Sequence, residues 1–160
     1  MPGSLDIGDN STAPLLMVSI WDGRNQRLNK HGYNRPNMPE RMELLNTGAS
    51  QLDLSLSELQ LDQFETYFQE LADWNKRANL TAIVEYEAVQ VKHFLDSLTV
   101  CLTARDILAG SAQASTSVMD VGSGAGLPGL ALKLAFPEIE LTLVESVAKK
   151  TAFLTHTLEK

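Results

Sequence analysis

The sequence is poor in cysteine, histidine and long apolar runs, and each shortage excludes a class of protein. A single cysteine, Cys101, cannot form an internal disulfide, so the chain fits a reducing compartment. This cysteine and the three histidines (His31, His93 and His156) do not stand at the spacing of metal ligands. No apolar run approaches the roughly 20 residues that cross a bilayer. We therefore expect no metal site and no membrane partner.

Positive charge is also scarce, since 13 Lys and Arg residues face 20 Asp and Glu residues and the net charge is −7. Phosphate repels such a chain on average, so a non-specific nucleic-acid binder is not predicted, although a local basic patch stays possible. The excess lies in residues 49–160, with eight basic and fifteen acidic side chains, whereas residues 1–48 hold five of each. The first ten residues contain two aspartates and lack the basic start of a signal peptide, which predicts a cytoplasmic protein.

Residues 1–48 lack sustained periodicity and are rich in Gly, Pro, Asn and Arg. We interpret them as an extension, mostly loop or disordered, with a short strand near Leu15–Trp21. An alternative interpretation is a basic arm for RNA, formed by Arg24, Arg27, Lys30 and Arg35. Residues 49–160 are predicted to form the folded part, with a helical lead-in over about 54–108 and a partial Rossmann-like domain over about 116–160.

Two helices are predicted in the lead-in. Ser57 and Gln60 form a capping box, which places the start of the first helix at Ser57 and its end near Arg77–Asn79. The second helix is predicted from about Glu87 to Leu102. Its apolar face at helical spacing comprises Ala88, Val91, Leu95, Leu98 and Leu102.

The pattern changes after the small, polar loop at Ala109–Ser117. A short apolar run, Ser117–Val121, suits a buried parallel strand, and a helix is predicted over Leu127–Ala135. A second strand, Ile139–Val144, and a further helix from Val147 follow. This strand–helix–strand–helix order predicts an α/β fold with a parallel sheet and a right-handed crossover.

A glycine-rich loop, Asp120-Val-Gly-Ser-Gly-Ala-Gly-Leu-Pro-Gly129, joins the first predicted strand to its helix. The dinucleotide fingerprint requires a third glycine where Leu127 stands, and a P-loop lysine is absent. Asp120 would repel a pyrophosphate but suits a cationic group, and Glu145 at the end of the next strand can bind ribose hydroxyls. This pattern is typical of class I S-adenosylmethionine (AdoMet) methyltransferases.

Further motifs accompany this loop in a fixed order. They are Trp74-Asn75-Lys76 with Asn79-Leu80-Thr81, then Lys92-His93-Phe94-Leu95-Asp96-Ser97-Leu98, then the glycine loop, then Lys149-Lys150 with Phe153-Leu154. On these motifs, from about Leu54 to Lys160, the sequence resembles the RsmG (glucose-inhibited division protein B) family. The resemblance implies an AdoMet-dependent enzyme that methylates guanine N7 in small-subunit (16S) ribosomal RNA, and we expect a monomer.

The resemblance also implies which residues form the site. The cofactor-binding residues would be Asp120, Gly122, Ser123, Gly124, Gly126, Leu127, Glu145 and Ser146. The candidates on the substrate side are Asn79, His93, Asp96 and Ser97. Each of these polar residues has a structural interpretation as well: Asn79 can cap a helix, and His93 can pair with Asp96. A Ser-His-Asp hydrolase is not expected, because three residues within one helical turn do not converge as a triad. Lys149 and Lys150 are either solvated helix residues or contacts to RNA phosphate.

A class I methyltransferase sheet has seven strands, and the family continues beyond the position of Lys160. We therefore expect a C-terminally truncated chain with little or no activity alone. Two alternative functions stay open at this point: an oxidoreductase with a nicotinamide or flavin cofactor, and a non-catalytic fragment that acts only through interactions.

Overall fold

The computed structural model describes residues 16–20, 41–108 and 116–160, and residues 16–20 are described by their backbone alone. The predicted basic arm and most of the predicted loop after Ala109 lie outside the described residues. The elements in chain order are β1 (Leu16–Ile20), α1 (Glu43–Gln51), α2 (Glu58–Ala78), α3 (Tyr86–Val89), a π-helix (Gln90–Leu95), α4 (Asp96–Leu98), α5 (Cys101–Leu108), β2 (Ser117–Val121), α6 (Gly129–Ala135), β3 (Glu140–Glu145) and α7 (Ala148–Leu158).

The predicted capping box of α2 is confirmed. The Ser57 hydroxyl accepts from the Gln60 backbone N–H, and the Gln60 side-chain oxygen accepts from the Ser57 N–H at 2.8 Å. The Gln60 side-chain nitrogen also donates to the carbonyls of Leu134 and Ala135, which belong to the last turn of α6. The same residue therefore starts α2 and attaches it to the helix that follows the glycine loop. The helix ends at Ala78, as predicted.

The predicted second helix is interrupted, and its predicted apolar face is confirmed only in part: Leu98 is fully buried and Leu95 packs against the core. Val91 and Leu102 are 42% and 65% exposed, whereas Val89 and Phe94 are buried. The step of five residues from Val89 to Phe94 is the repeat of a π-helix, which occupies Gln90–Leu95. A periodicity of 3.6 residues cannot place a face correctly across such a segment.

Helix α1 had no clear signal in the sequence, and the predicted domain boundary at residue 48 falls inside it. Its N-cap residue Met42 and its residue Leu45 are fully buried. The side chain of Gln90, itself buried, accepts hydrogen bonds from the backbone N–H groups of Leu44 and Leu45. A residue distant in sequence thus satisfies the free amides at the start of α1, which no local pattern reveals.

The sheet has the strand order β1-β3-β2. Strands β2 and β3 are parallel and are joined through α6, as predicted, and β1 pairs antiparallel with β3. The short strand predicted near Leu15–Trp21 is therefore confirmed for Leu16–Ile20. The side chains of Asp120 and Leu143 face α6, because both lie within 3 Å of a Cβ built on Gly129.

Strand β2 is only half buried, contrary to the prediction of a buried strand. Met119 and Val121, on the face opposite α6, are 59% and 74% exposed because no element of the described residues covers them. Along its edges β2 pairs with β3 alone within the same residues. None of the described helices combines the length and the apolar character needed to span a membrane.

Candidate functional site

The glycine loop between β2 and α6 is held by its own backbone. The amides of Gly122 and Ser123 donate to the Val144 carbonyl on β3, and the amides of Gly126 and Leu127 donate to the Ser123 carbonyl. Three glycines adopt left-handed conformations, with φ of 82° at Gly122, 61° at Gly124 and 92° at Gly126. Residues with a Cβ adopt this region at a cost of about 1–2 kcal/mol, which explains the alternating glycines.

The four glycines of the loop fall into two pairs with different surroundings. A Cβ on Gly122 would meet no atom within 4 Å, and one on Gly124 would meet only the Gly122 carbonyl oxygen at 3.8 Å. A Cβ on Gly126 would instead clash with a methyl carbon of Leu130, and one on Gly129 would lie 2.7 Å from Oδ2 of Asp120. Gly122 and Gly124 therefore border an open side of the loop. Gly126 and Gly129 instead allow Leu130 and Asp120 to pack closely against the backbone.

Glu145, the last residue of β3, is hydrogen-bonded to the glycine loop and to the residues that precede α7. Its Oε2 accepts from the Gly124 amide, and its Oε1 accepts from the amides of Ser146 and Val147, each at 2.8 Å. The side chain is buried, which alone raises the pKa of this carboxyl group, but the three amides and Lys150 outweigh burial and hold the pKa below its ordinary value. A carboxylate has about four acceptor positions. One position, on Oε2, has no hydrogen bond within the described residues.

Asp120 is the second carboxylate of the site. Its Oδ2 accepts from the Gly129 amide at 3.0 Å, at the start of α6. Burial raises the pKa of Asp120, the Gly129 amide opposes this, and the negative charge of Glu145 adds to the increase. The two acids therefore place negative charge next to the loop, which suits a cationic or hydroxyl-bearing ligand and disfavours a pyrophosphate.

The glycine loop also contains backbone carbonyl groups without a hydrogen-bond partner in the described part of the chain. Within the described residues, the carbonyl oxygens of Gly122 and Gly124 accept no hydrogen bond. The Ser123 hydroxyl is not available, because it is buried and donates to the Asp120 carbonyl at 2.9 Å. Of the other predicted cofactor residues, Leu127 is half-buried and Ser146 is exposed.

The predicted substrate-side residues have local partners. Asn79 is the left-handed C-cap of α2, with φ of 47°, which agrees with its capping interpretation. Ser97 donates to the His93 carbonyl at 2.6 Å. Asp96 is exposed and forms no ion pair with His93 within the described part of the chain. The three residues of the His-x-x-Asp-Ser motif therefore do not form a triad, as expected.

His93 is bound through both ring nitrogens. Its Nδ1 lies 3.2 Å from the Lys92 carbonyl and must donate, so Nε2 accepts from the Thr81 hydroxyl at 2.8 Å. Burial lowers the pKa of His93, and the Lys92 carbonyl and Asp96 oppose this shift. The lowered pKa favours the neutral form of His93, which lies where the segment after α2 meets the π-helix.

Two residues of the site were not identified from the sequence. Tyr67 of α2 donates from its hydroxyl to the Ala125 carbonyl in the glycine loop at 2.6 Å. The side chain of Asn75 bonds to both the N–H and the carbonyl of Thr81, at 2.9 Å each. The partner of Tyr67 depends on the packing of α2 against the loop, which no local sequence pattern reveals. No group of three or more His, Cys, Asp or Glu side chains in the described ranges could hold a metal ion.

These features define the class of protein. A parallel β-α-β unit, a glycine loop at its first turn and an acidic residue at the end of the second strand form part of a Rossmann-like methyltransferase fold.

Comparison with known proteins identifies the family. Residues 60–160 match the model of rRNA small subunit methyltransferase G, and the chain belongs to this family. It is 54% identical over 108 residues to ribosomal RNA small subunit methyltransferase G of Dehalococcoides mccartyi (strain CBDB1), which covers 68% of the chain and 43% of that relative. It is 47% identical over 115 residues to the protein of that name from Roseiflexus sp. (strain RS-1), covering 72% and 46%. The chain spans less than half the length of these relatives.

Proposed function

We propose that this chain forms the cofactor-binding part of an AdoMet-dependent methyltransferase that acts on guanine N7 of small-subunit ribosomal RNA. The observation that carries the proposal is the arrangement of Gly124 and Glu145, in which a glycine loop with an open side is attached to an acid with one free acceptor position. The names of the relatives supply the RNA and the methyl transfer. The resemblance supplies the N7 position, and the cytoplasmic location and the monomeric state remain predictions.

The described residues fit AdoMet better than a dinucleotide. One ribose hydroxyl can donate to the free position on Oε2 of Glu145, and a second would have to replace one of the three amides. The free carbonyls of Gly122 and Gly124 and the charge of Asp120 suit an ammonium or sulfonium group. Gly126 and Leu127 would support the loop, and Ser146 would lie next to the adenosine.

For this methyl transfer, the main role of the protein is to orient the two reactants. AdoMet supplies a methyl group on a positively charged sulfur. Guanine N7 has a lone pair and no proton, so no general base is required. This agrees with the state of His93 and Ser97, whose side chains are already bonded to Thr81 and to a backbone carbonyl. Alignment of two reactants of this kind contributes roughly 7–11 kcal/mol to lowering a barrier.

We propose further that the helical segment on the substrate side positions the RNA. Its helix α4 packs against α6, and α6 begins at the glycine loop. Asn79 and Asp96 are exposed, so their side chains can contact a base or a ribose without losing a partner. His93 and Ser97 would shape this region through the backbone.

Two experiments test the proposal on the complete product of the gene. Isothermal titration calorimetry with S-adenosylhomocysteine and with NAD⁺ should show binding of the first only. Binding of NAD⁺ alone would favour the oxidoreductase, and binding of neither would favour a non-catalytic protein. Tritiated AdoMet should label small-subunit RNA, and mass spectrometry of the digested RNA should find 7-methylguanosine.

A matched pair of variants tests the loop. Gly124→Val places a β-branched side chain at φ of 61° and should abolish binding of S-adenosylhomocysteine. Thr155→Ala changes an exposed residue of α7 and should leave binding unchanged. Equal affinities of these two variants would show that the ligand does not use the loop.

A further inference from the structure

Helix α2 contributes one buried hydroxyl group to the glycine loop. The Tyr67 side chain is 2% exposed, and its hydroxyl donates to the Ala125 carbonyl at 2.6 Å. Its ring stacks on Phe94 of the π-helix, with the ring centres 5.1 Å apart and the planes at 27°. The ring is thus fixed by the helical segment, whereas the hydroxyl reaches the loop.

This contact completes the restraint of a single peptide plane. The plane between Ala125 and Gly126 has its carbonyl bound by Tyr67 and its N–H bound by the Ser123 carbonyl at 2.7 Å. The next residue, Gly126, has φ of 92°, and without restraint a glycine reaches this region and its mirror region about equally well. Without the Tyr67 hydroxyl, the buried Ala125 carbonyl would have no hydrogen-bond partner. Rotation of the peptide plane towards solvent would then be favourable for this carbonyl.

We propose that Tyr67 is a positioning residue that keeps the glycine loop in its binding conformation before AdoMet arrives. The inference rests on the proposed function and deepens it, because it assigns the preformed loop to the helical segment that precedes the Rossmann-like part. The hydroxyl remains a donor over the accessible pH range, since burial, and secondarily the charge of Asp120, raise the pKa of Tyr67.

The variant Tyr67→Phe keeps the ring and deletes only the hydroxyl. A buried group that loses its hydrogen bond costs about 1–3 kcal/mol, so the Kd for S-adenosylhomocysteine should rise about tenfold, within a range of roughly 5- to 150-fold. In steady-state methylation, KM for AdoMet should rise by a similar factor, whereas kcat at saturating AdoMet should change less than threefold. A residue that only supports the fold would not raise KM for AdoMet while leaving kcat nearly unchanged.

Tyr86→Phe is the matched control. The Tyr86 hydroxyl accepts from the Met42 amide and donates to Glu65, and neither partner belongs to the glycine loop. This variant should leave Kd and KM unchanged. Equal Kd values for the wild-type protein, Tyr67→Phe and Tyr86→Phe would overturn the inference. If the wild-type protein itself fails to bind S-adenosylhomocysteine, the proposed function fails instead.

A measurement on the unmodified protein covers the case in which Tyr67→Phe does not fold. Amide hydrogen exchange should show that Gly126 and Leu127 are protected before any ligand is added, because their N–H groups are bonded in a loop held by Tyr67. Protection that arises only after addition of S-adenosylhomocysteine would show a loop ordered by the ligand, and would overturn the inference.

Discussion

Replacement of Glu145 by glutamine should destabilise the fold in a way that depends on pH. The carboxylate of Glu145 accepts from three backbone amides, and its side chain is only 6% exposed. In Glu145→Gln, the new side-chain oxygen can still accept from Ser146 and Val147, but its NH₂ group then faces the Gly124 amide. One hydrogen bond is therefore lost, and the other two are no longer charge-assisted.

The size of the effect follows from this count. A hydrogen bond to a charged group contributes about 1.5–3 kcal/mol, so the free energy of unfolding at pH 7 should fall by about 2 kcal/mol. Little screening by solvent is expected, because the group is buried. The glycine loop should also loosen, since Gly124 is the residue that loses its acceptor.

The pH dependence has a definite sign. The pKa of Glu145 is lower in the folded protein than the ordinary glutamate value of 4.5. Its contribution is therefore fully present above pH 4.5, and it is lost as the pH falls from there through the lower pKa of the folded state. The wild-type protein and Glu145→Gln should differ by a constant amount between pH 7 and about 5.5, and the difference should shrink below pH 4.5.

Urea unfolding at pH 7, 6, 5 and 4, followed by circular dichroism, measures the difference. Glu159→Gln, which removes an exposed carboxylate after α7, is the control and should stay within about 0.5 kcal/mol of the wild-type protein. A difference for Glu145→Gln that is absent at pH 7, or equally large at pH 7 and pH 4, would refute the assignment of a charged acceptor to the three amides.

Three further changes test other contacts. Gly129→Ala brings a Cβ to 2.7 Å from the Asp120 carboxylate and should cost about 1–3 kcal/mol in thermal melting; unchanged melting would contradict the close packing at the start of α6. Gln90→Leu leaves two amides at the start of α1 without an acceptor, so they should exchange hydrogen faster while α2 does not; equal exchange would argue against this cap. An NMR titration should give His93 a pKa below 6.5, and Thr81→Val should raise this pKa, because the Thr81 hydroxyl donates only to the neutral ring. The stability that the neutral ring provides is present above pH 6.5. It is lost as the pH falls through the lower pKa of the folded protein.

Local signals in the sequence were sufficient for several elements. The capping box at Ser57 and Gln60 placed the start of α2, because both halves of that motif lie within one helical turn. The apolar run before the glycines placed β2 at Ser117–Val121. The alternation of glycines predicted a loop, and three of them do adopt the left-handed region.

Features that depend on contact with another helix or strand could not be predicted from local sequence patterns. The π-helix shifts the buried face between Val89 and Phe94, and a pattern search with one fixed period cannot follow it. Helix α1 depends on Gln90, which is more than 40 residues away. The half-buried state of β2 depends on what lies against Met119 and Val121.

In the candidate site, too, some features could be predicted from the sequence and others depended on the packing. Composition, glycine spacing and the positions of Asp120 and Glu145 were enough to predict a class of ligand, because charge and backbone freedom belong to the residues themselves. Only the tertiary structure decided how these groups are used: Glu145 binds three amides and keeps one free position, and Gly126 and Gly129 serve packing rather than the open side. The contact of Tyr67 with the loop was likewise decided by packing, since a hydroxyl on a helix finds a carbonyl 58 residues away only when the two segments fold against each other.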